Sequence, residues 1–111
     1  MLYTEFNTGN KEYKLRLNTR NVVLLEKQLG CNPLSIFGDG DTIPTVTVMV
    51  AILHASLQQY QHNITLNDAY DIFDEWLADG HASTDFIPVI LEIYKVSGII
   101  PDDTNKEEEK N

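Results

Sequence analysis

Three histidines, one cysteine and a helical run of carboxylates are the residues with the chemistry to catalyse a reaction or to hold a metal ion. An active site shows a nucleophile beside a base, paired carboxylates, or metal ligands at a workable spacing. His54, His62 and His81 share no short ligand spacing, and a histidine in a mostly apolar segment, as His54 is, reads as a packed or surface residue. Asp39-Gly40-Asp41 resembles the start of a calcium loop, but the twelfth position, where a bidentate glutamate belongs, is Val50. It reads as a solvated turn. Cys31 has no second cysteine to pair with and no evident base beside it, which fits a reducing compartment better than a catalytic thiol. Gly9 has no phosphate-cradling pattern around it. The series Asp68, Asp71, Asp74, Glu75 and Asp79 is either a solvated helix face or a surface for a basic partner. No catalytic, cofactor or metal residue is assigned. Function should lie in surfaces, the candidates being a hairpin edge, the apolar segment from Phe86 to Val96, the acidic helix and the C-terminal tail.

The elements behind these residues are legible from pattern. Tyr3, Phe6, Tyr13, Leu15 and Leu17, with Asn7-Thr8-Gly9-Asn10 between the two halves, predict a β-hairpin over 2–17. A lone two-stranded ribbon is marginally stable, so it packs on the helices behind it or pairs with another chain. Asn18 or Thr19 caps a helix over about 19–29, with Val22, Leu25 and Leu29 on its buried stripe and Gly30 as its stop. Asn32-Pro33 opens a short helix over 33–37, closed by Gly38. Thr45 to Tyr60 begins with strand-like β-branched alternation, yet its unbroken length predicts a helix over 45–60. Thr65 and Asp68 form a capping box for a helix over 66–79, whose buried stripe is Ala69, Ile72, Phe73, Trp76 and Leu77. Ser83 or Thr84 starts a last helix over 84–97, apolar on nearly every side and therefore either central in the core or half covered by a partner.

The fold class is mainly α with an N-terminal β-hairpin: one domain over 1–98 with about four helices, then a disordered acidic tail over 99–111. A net charge of −9 argues against a nucleic-acid binder, because that affinity rests on Lys and Arg displacing counterions. No run approaches the ~20 apolar residues of a membrane span, and Met1-Leu2-Tyr3-Thr4-Glu5 lacks the features of a signal peptide, which predicts a cytoplasmic address.

The ordered series Tyr13-Lys14-Leu15-Arg16-Leu17-Asn18-Thr19-Arg20, Leu25-Glu26-Lys27-Gln28-Leu29-Gly30, Asn32-Pro33-Leu34-Ser35-Ile36-Phe37-Gly38, Ile52-Leu53-His54-Ala55-Ser56-Leu57-Gln58, Ile64-Thr65-Leu66-Asn67-Asp68-Ala69-Tyr70-Asp71 and Pro88-Val89-Ile90-Leu91-Glu92-Ile93 resembles the tail assembly chaperones of long-tailed bacteriophages and prophages of Gram-positive bacteria. The resemblance runs from Tyr13 to Gly98 and carries no catalytic signature. After the loop proline, where that family usually has acidic residues, this chain has Thr45-Val46-Thr47-Val48.

The resemblance implies a protein without enzymatic activity or cofactor. It would bind the tape measure protein, keep it soluble and help recruit tail tube protein, in the bacterial host cytoplasm and outside the mature virion. An apolar groove would hold amphipathic helices of the tape measure protein, with Phe86, Ile90, Ile93 and Tyr94 as contact residues, although the same four suit core packing. A homo-oligomer built through the hairpin is a further option. Many relatives are also made as a longer isoform, by a ribosomal frameshift near the end of the gene, whose extension binds tail tube protein. Glu109-Lys110-Asn111 is compatible with a slippery A AAA AAY run at that place. The alternative is an acidic DNA-mimic inhibitor of a basic nuclease or repressor, for which the charge and the acidic helix are the motive.

Overall fold

The computed structural model describes residues 2–38 and 42–102, so the turn at Asp39-Gly40-Asp41 and the acidic stretch 103–111 lie outside the described residues. Strands β1 (Thr4–Thr8) and β2 (Lys11–Leu15) pair antiparallel, with Thr8 opposite Lys11 and Phe6 opposite Tyr13. Gly9 takes φ +52° while Asn10 stays at negative φ, the pattern of a type II′ reversal that matches the twist of the strands. Alternation then sorts the side chains: Phe6, Thr8, Tyr13 and Leu15 are buried, while Glu5, Asn7, Glu12 and Lys14 are exposed.

The hairpin packs on the helices of its own chain. The Gln61 carboxamide accepts from Lys14 N (2.9 Å) and donates to Lys14 O (3.0 Å), occupying the outer edge of β2. Arg16 N donates to Ser56 O at 3.0 Å, and the Arg16 guanidinium donates to the carbonyls of Val96 and Leu2. By this register the outward backbone groups of β1 belong to Glu5 and Asn7, which leaves β1 as the open edge.

Helix α1 (Thr19–Leu29) starts at Asn18, whose Oδ1 accepts from Asn21 N, and stops at Gly30 with φ +73°. A short 3-10 helix, Pro33–Phe37, is capped by Asn32. Helix α2 (Val46–Leu57) is capped by Thr45 and ends three residues before the predicted Tyr60. There the side-chain carboxamides of Gln58 and Gln61 donate to the carbonyls of His54 and Leu57, satisfying acceptors of the last turn. Helix α3 (Leu66–Ala78) opens on the predicted capping box, Asp68 N donating to Thr65 Oγ1 at 3.1 Å and Thr65 N to Asp68 Oδ2 at 2.9 Å. The last predicted helix divides into a 3-10 turn, Ser83–Asp85, and helix α4 (Phe86–Val96), with Pro88 in the first turn of α4 where no intrahelical N–H is needed.

The central helix is α2. Residues Met49 to Leu53 and Ala55 to Leu57 are all buried, and α1, α3, α4 and β2 pack around them. Phe6, Phe73, Trp76 and Phe86 form one aromatic cluster, with ring centroids 5.3–5.8 Å apart in the contacting pairs. The domain runs past the predicted boundary at residue 98. Ile99 and Ile100 are half-buried against the core, and both their amides donate to Tyr94 O, so 99 and 100 belong to the fold rather than to the tail. No helix among the described residues is long and apolar enough to cross a membrane.

Candidate functional site

The four residues predicted as partner contacts are inside. Phe86, Ile90, Ile93 and Tyr94 are each 0% exposed. They recur every three or four positions, which aligns them on the side of α4 that faces α2 and the hairpin. Tyr94 is anchored as well as buried, its hydroxyl donating to Pro33 O at 2.9 Å. Burial pushes its phenol far above the ordinary range, and a negative charge on Cys31 would add to the shift. These residues hold the fold together and offer no surface to a partner. Of the large apolar residues of α4, Leu91 is the exposed one.

The acidic helix is less free than its composition suggests. Asp79 Oδ2 accepts from Gly9 N at 2.7 Å and Glu75 Oε2 accepts from Thr8 Oγ1 at 3.2 Å, so two of the five carboxylates hold the hairpin tip against α3. Asp68 is the capping-box carboxylate. The hydrogen bonds from Thr65, backbone amide first and hydroxyl second, hold it below the ordinary carboxylate range. Asp71 and Asp74 remain as exposed carboxylates with no such task. A cleft of about 410 Å³ lies between the hairpin tip, the turn at His62-Asn63-Ile64 and this helix, lined by Lys11, Tyr13, Asp68, Asp71, Ile72 and Glu75. His62 reaches this cleft, His81 stacks on Trp76 at 4.3 Å, and His54 sits on α2, so the three histidines do not converge. Among the described residues no group of three or more His, Cys, Asp or Glu is placed to hold a metal ion.

The exposed apolar side chains gather elsewhere. Of the nine large hydrophobics that stand exposed, Val23, Leu24, Leu34, Ile43 and Val46 belong to α1, the 3-10 helix and the entry to α2, segments that pack on one another. On α1 the buried positions Asn21 and Leu25 turn inward, which leaves Arg20, Val23, Leu24 and Lys27 outward at i, i+3, i+4 and i+7. Sequence reasoning missed this face because it followed the buried stripe of Val22, Leu25 and Leu29. The signal was present as two aliphatic residues, Val23 and Leu24, that do not fit that stripe.

Residues 4–111 match a family of unknown function, DUF6096. The chain belongs to that family. No curated protein and no solved structure matches it. The match takes in the hairpin, all four α-helices and the outward face of α1, so nearly the whole of this chain lies within it.

Proposed function

We propose that this DUF6096 protein is a tail assembly chaperone of the long-tailed-phage type. In this reading it is a binding protein without enzymatic activity that holds the tape measure protein in solution and helps recruit tail tube protein, acting in the bacterial host cytoplasm and staying out of the mature virion. The ordered residues from Tyr13 to Gly98 supply the resemblance. The structural observation that carries the reading is that five of the nine exposed large hydrophobics among the described residues fall on α1, the 3-10 helix and the entry to α2. A chaperone for long amphipathic helices needs an apolar side of this kind on an otherwise charged body, and the net charge of −9 keeps the complex soluble. The longer frameshifted isoform belongs to the same proposal. An association through the open β1 edge would give the homo-oligomer.

The inhibitor reading loses ground at α3. A DNA mimic presents its carboxylates to a basic partner, whereas Glu75, Asp79 and Asp68 are spent on the hairpin tip and the helix cap. The deciding experiment is to sequence the gene neighbourhood and co-express the chain with the longest helical coding sequence downstream. Recovery of that product in the soluble fraction only when this chain is present supports the chaperone reading. A product equally soluble without it, or a neighbourhood with no tail genes, refutes the reading.

A further inference from the structure

We propose that the outward face of α1 is the docking surface, and that its occupant is an amphipathic helix of another protein whose apolar ridge is flanked by carboxylates. The inference rests on the chaperone reading and names the partner's chemistry. Arg20, Val23, Leu24 and Lys27 lie on one helical face, with Val23 and Leu24 42% and 54% exposed between the two cations. An apolar pair bracketed by positive charge suits a helix laid alongside it, ridge against groove, with acidic residues on its flanks. Among the described residues the ion pair formed is Lys95–Glu92, and neither Arg20 nor Lys27 has a carboxylate against it.

Two nearer occupants fail on composition. The acidic helix of a second copy turns Ile72, Phe73 and Trp76 into its own core and keeps Tyr70 as its one large apolar residue outside, so it lacks a ridge. The segment 103–111 has carboxylates, yet no apolar residue to cover Val23 and Leu24. An occupant with both features comes from another chain. Leu34, Ile43 and Val46 are exposed on the 3-10 helix and at the entry to α2, elements that also contact α1.

The test titrates the full chain with two synthetic helical peptides that share one leucine ridge, one flanked by Glu and the other by Lys, followed by fluorescence anisotropy. The Glu-flanked peptide should bind about tenfold more tightly than the Lys-flanked one, as expected for two partly exposed ion pairs. Arg20→Glu with Lys27→Glu should invert that preference, and Val23→Ser with Leu24→Ser should abolish binding of both peptides. Each substituted position is exposed, and the Trp76 emission confirms that the variants are folded. An unchanged preference in the charge-reversed variant, or binding that survives Val23→Ser with Leu24→Ser, overturns the proposal. So does a wild-type oligomer in sedimentation velocity that this serine variant dissociates, because a second copy then covers the face. Co-expression separates the two failures. If the serine variant still keeps the tape measure protein soluble, the surface is wrong and the chaperone reading stands; if the wild-type chain does not, the chaperone reading itself falls.

Discussion

Replacing Phe86 by alanine should unfold this protein or come close to it, and the size of the loss separates a core residue from a partner contact. Phe86 is 0% exposed, and its ring centroid lies 5.8 Å from Phe6, 5.4 Å from Phe73 and 5.7 Å from Trp76, so truncation leaves a void among three rings that β1 and α3 hold in place. Such changes cost about 3–5 kcal/mol, against a total of about 5–15 kcal/mol for a domain. At about 4 °C or more per kcal/mol, the midpoint should fall by at least ~12 °C. Ile93→Val is the companion that stays folded, removing one methylene from a fully buried site for about 1 kcal/mol. Urea unfolding followed through Trp76, the one tryptophan and a direct neighbour of Phe86, reads both variants. A Phe86→Ala loss under about 1 kcal/mol, or an Ile93→Val variant of unchanged stability that fails to bind partner, would refute the core assignment and return these residues to the surface.

Gln61→Ala should cost about 1–2 kcal/mol and speed hydrogen exchange at Lys14, because one carboxamide serves Lys14 N, Lys14 O and Leu57 O; unchanged exchange there would show that β2 needs no such brace. Asp68→Ala should destabilise the protein at neutral pH. The folded carboxyl titrates below its free value of 3.8, so its contribution is present above that pH and lost as pH falls through the folded value; the gap between wild type and variant should therefore close in acid, and a gap constant with pH would show that the charge contributes nothing. Tyr94, whose folded phenol is raised by burial, should stay protonated while phenols in the ordinary range near ~10 ionise. Its contribution is then full below that pH and lost above it, so an alkaline absorbance titration should show the Tyr94 phenol ionising only with unfolding, and its ionisation in the folded state within the ordinary range would contradict its burial.

What could be read in advance followed the range of the interaction. Asn18, Asn32 and Thr65 cap helices through side chains that reach two or three residues along the chain, so these residues in sequence were enough to place three helix starts, whereas the cap at Thr45 was read as the first residue of its helix. Gly9 and Gly30 likewise declare their turns locally, since the positive φ each adopts is cheap for glycine. The misreadings on the acidic helix are long-range. Glu75 and Asp79 looked like members of an acidic face because their partners, Thr8 and Gly9, are 67 and 70 residues away in sequence. Gln61 serves the β2 backbone at Lys14 across 47 residues, a role that no local pattern of Gln-Gln-Tyr-Gln announces.

The same distinction explains the candidate site. An apolar segment in sequence has the same composition whether the domain or a partner covers it, and the last helix was rich enough to be either. The packing settles it by geometry, because α1, α3, α4 and β2 surround α2 from Met49 onward and leave only its first turn exposed, and α4 closes that core with Phe86, Ile90, Ile93 and Tyr94. Once those two helices are consumed, the apolar residues left for recognition are those off the buried stripes. On α1 they are Val23 and Leu24, between Arg20 and Lys27. A binding surface in a domain this small is therefore sought among residues that break the amphipathic pattern of their helix, since residues that obey it are already used by the fold.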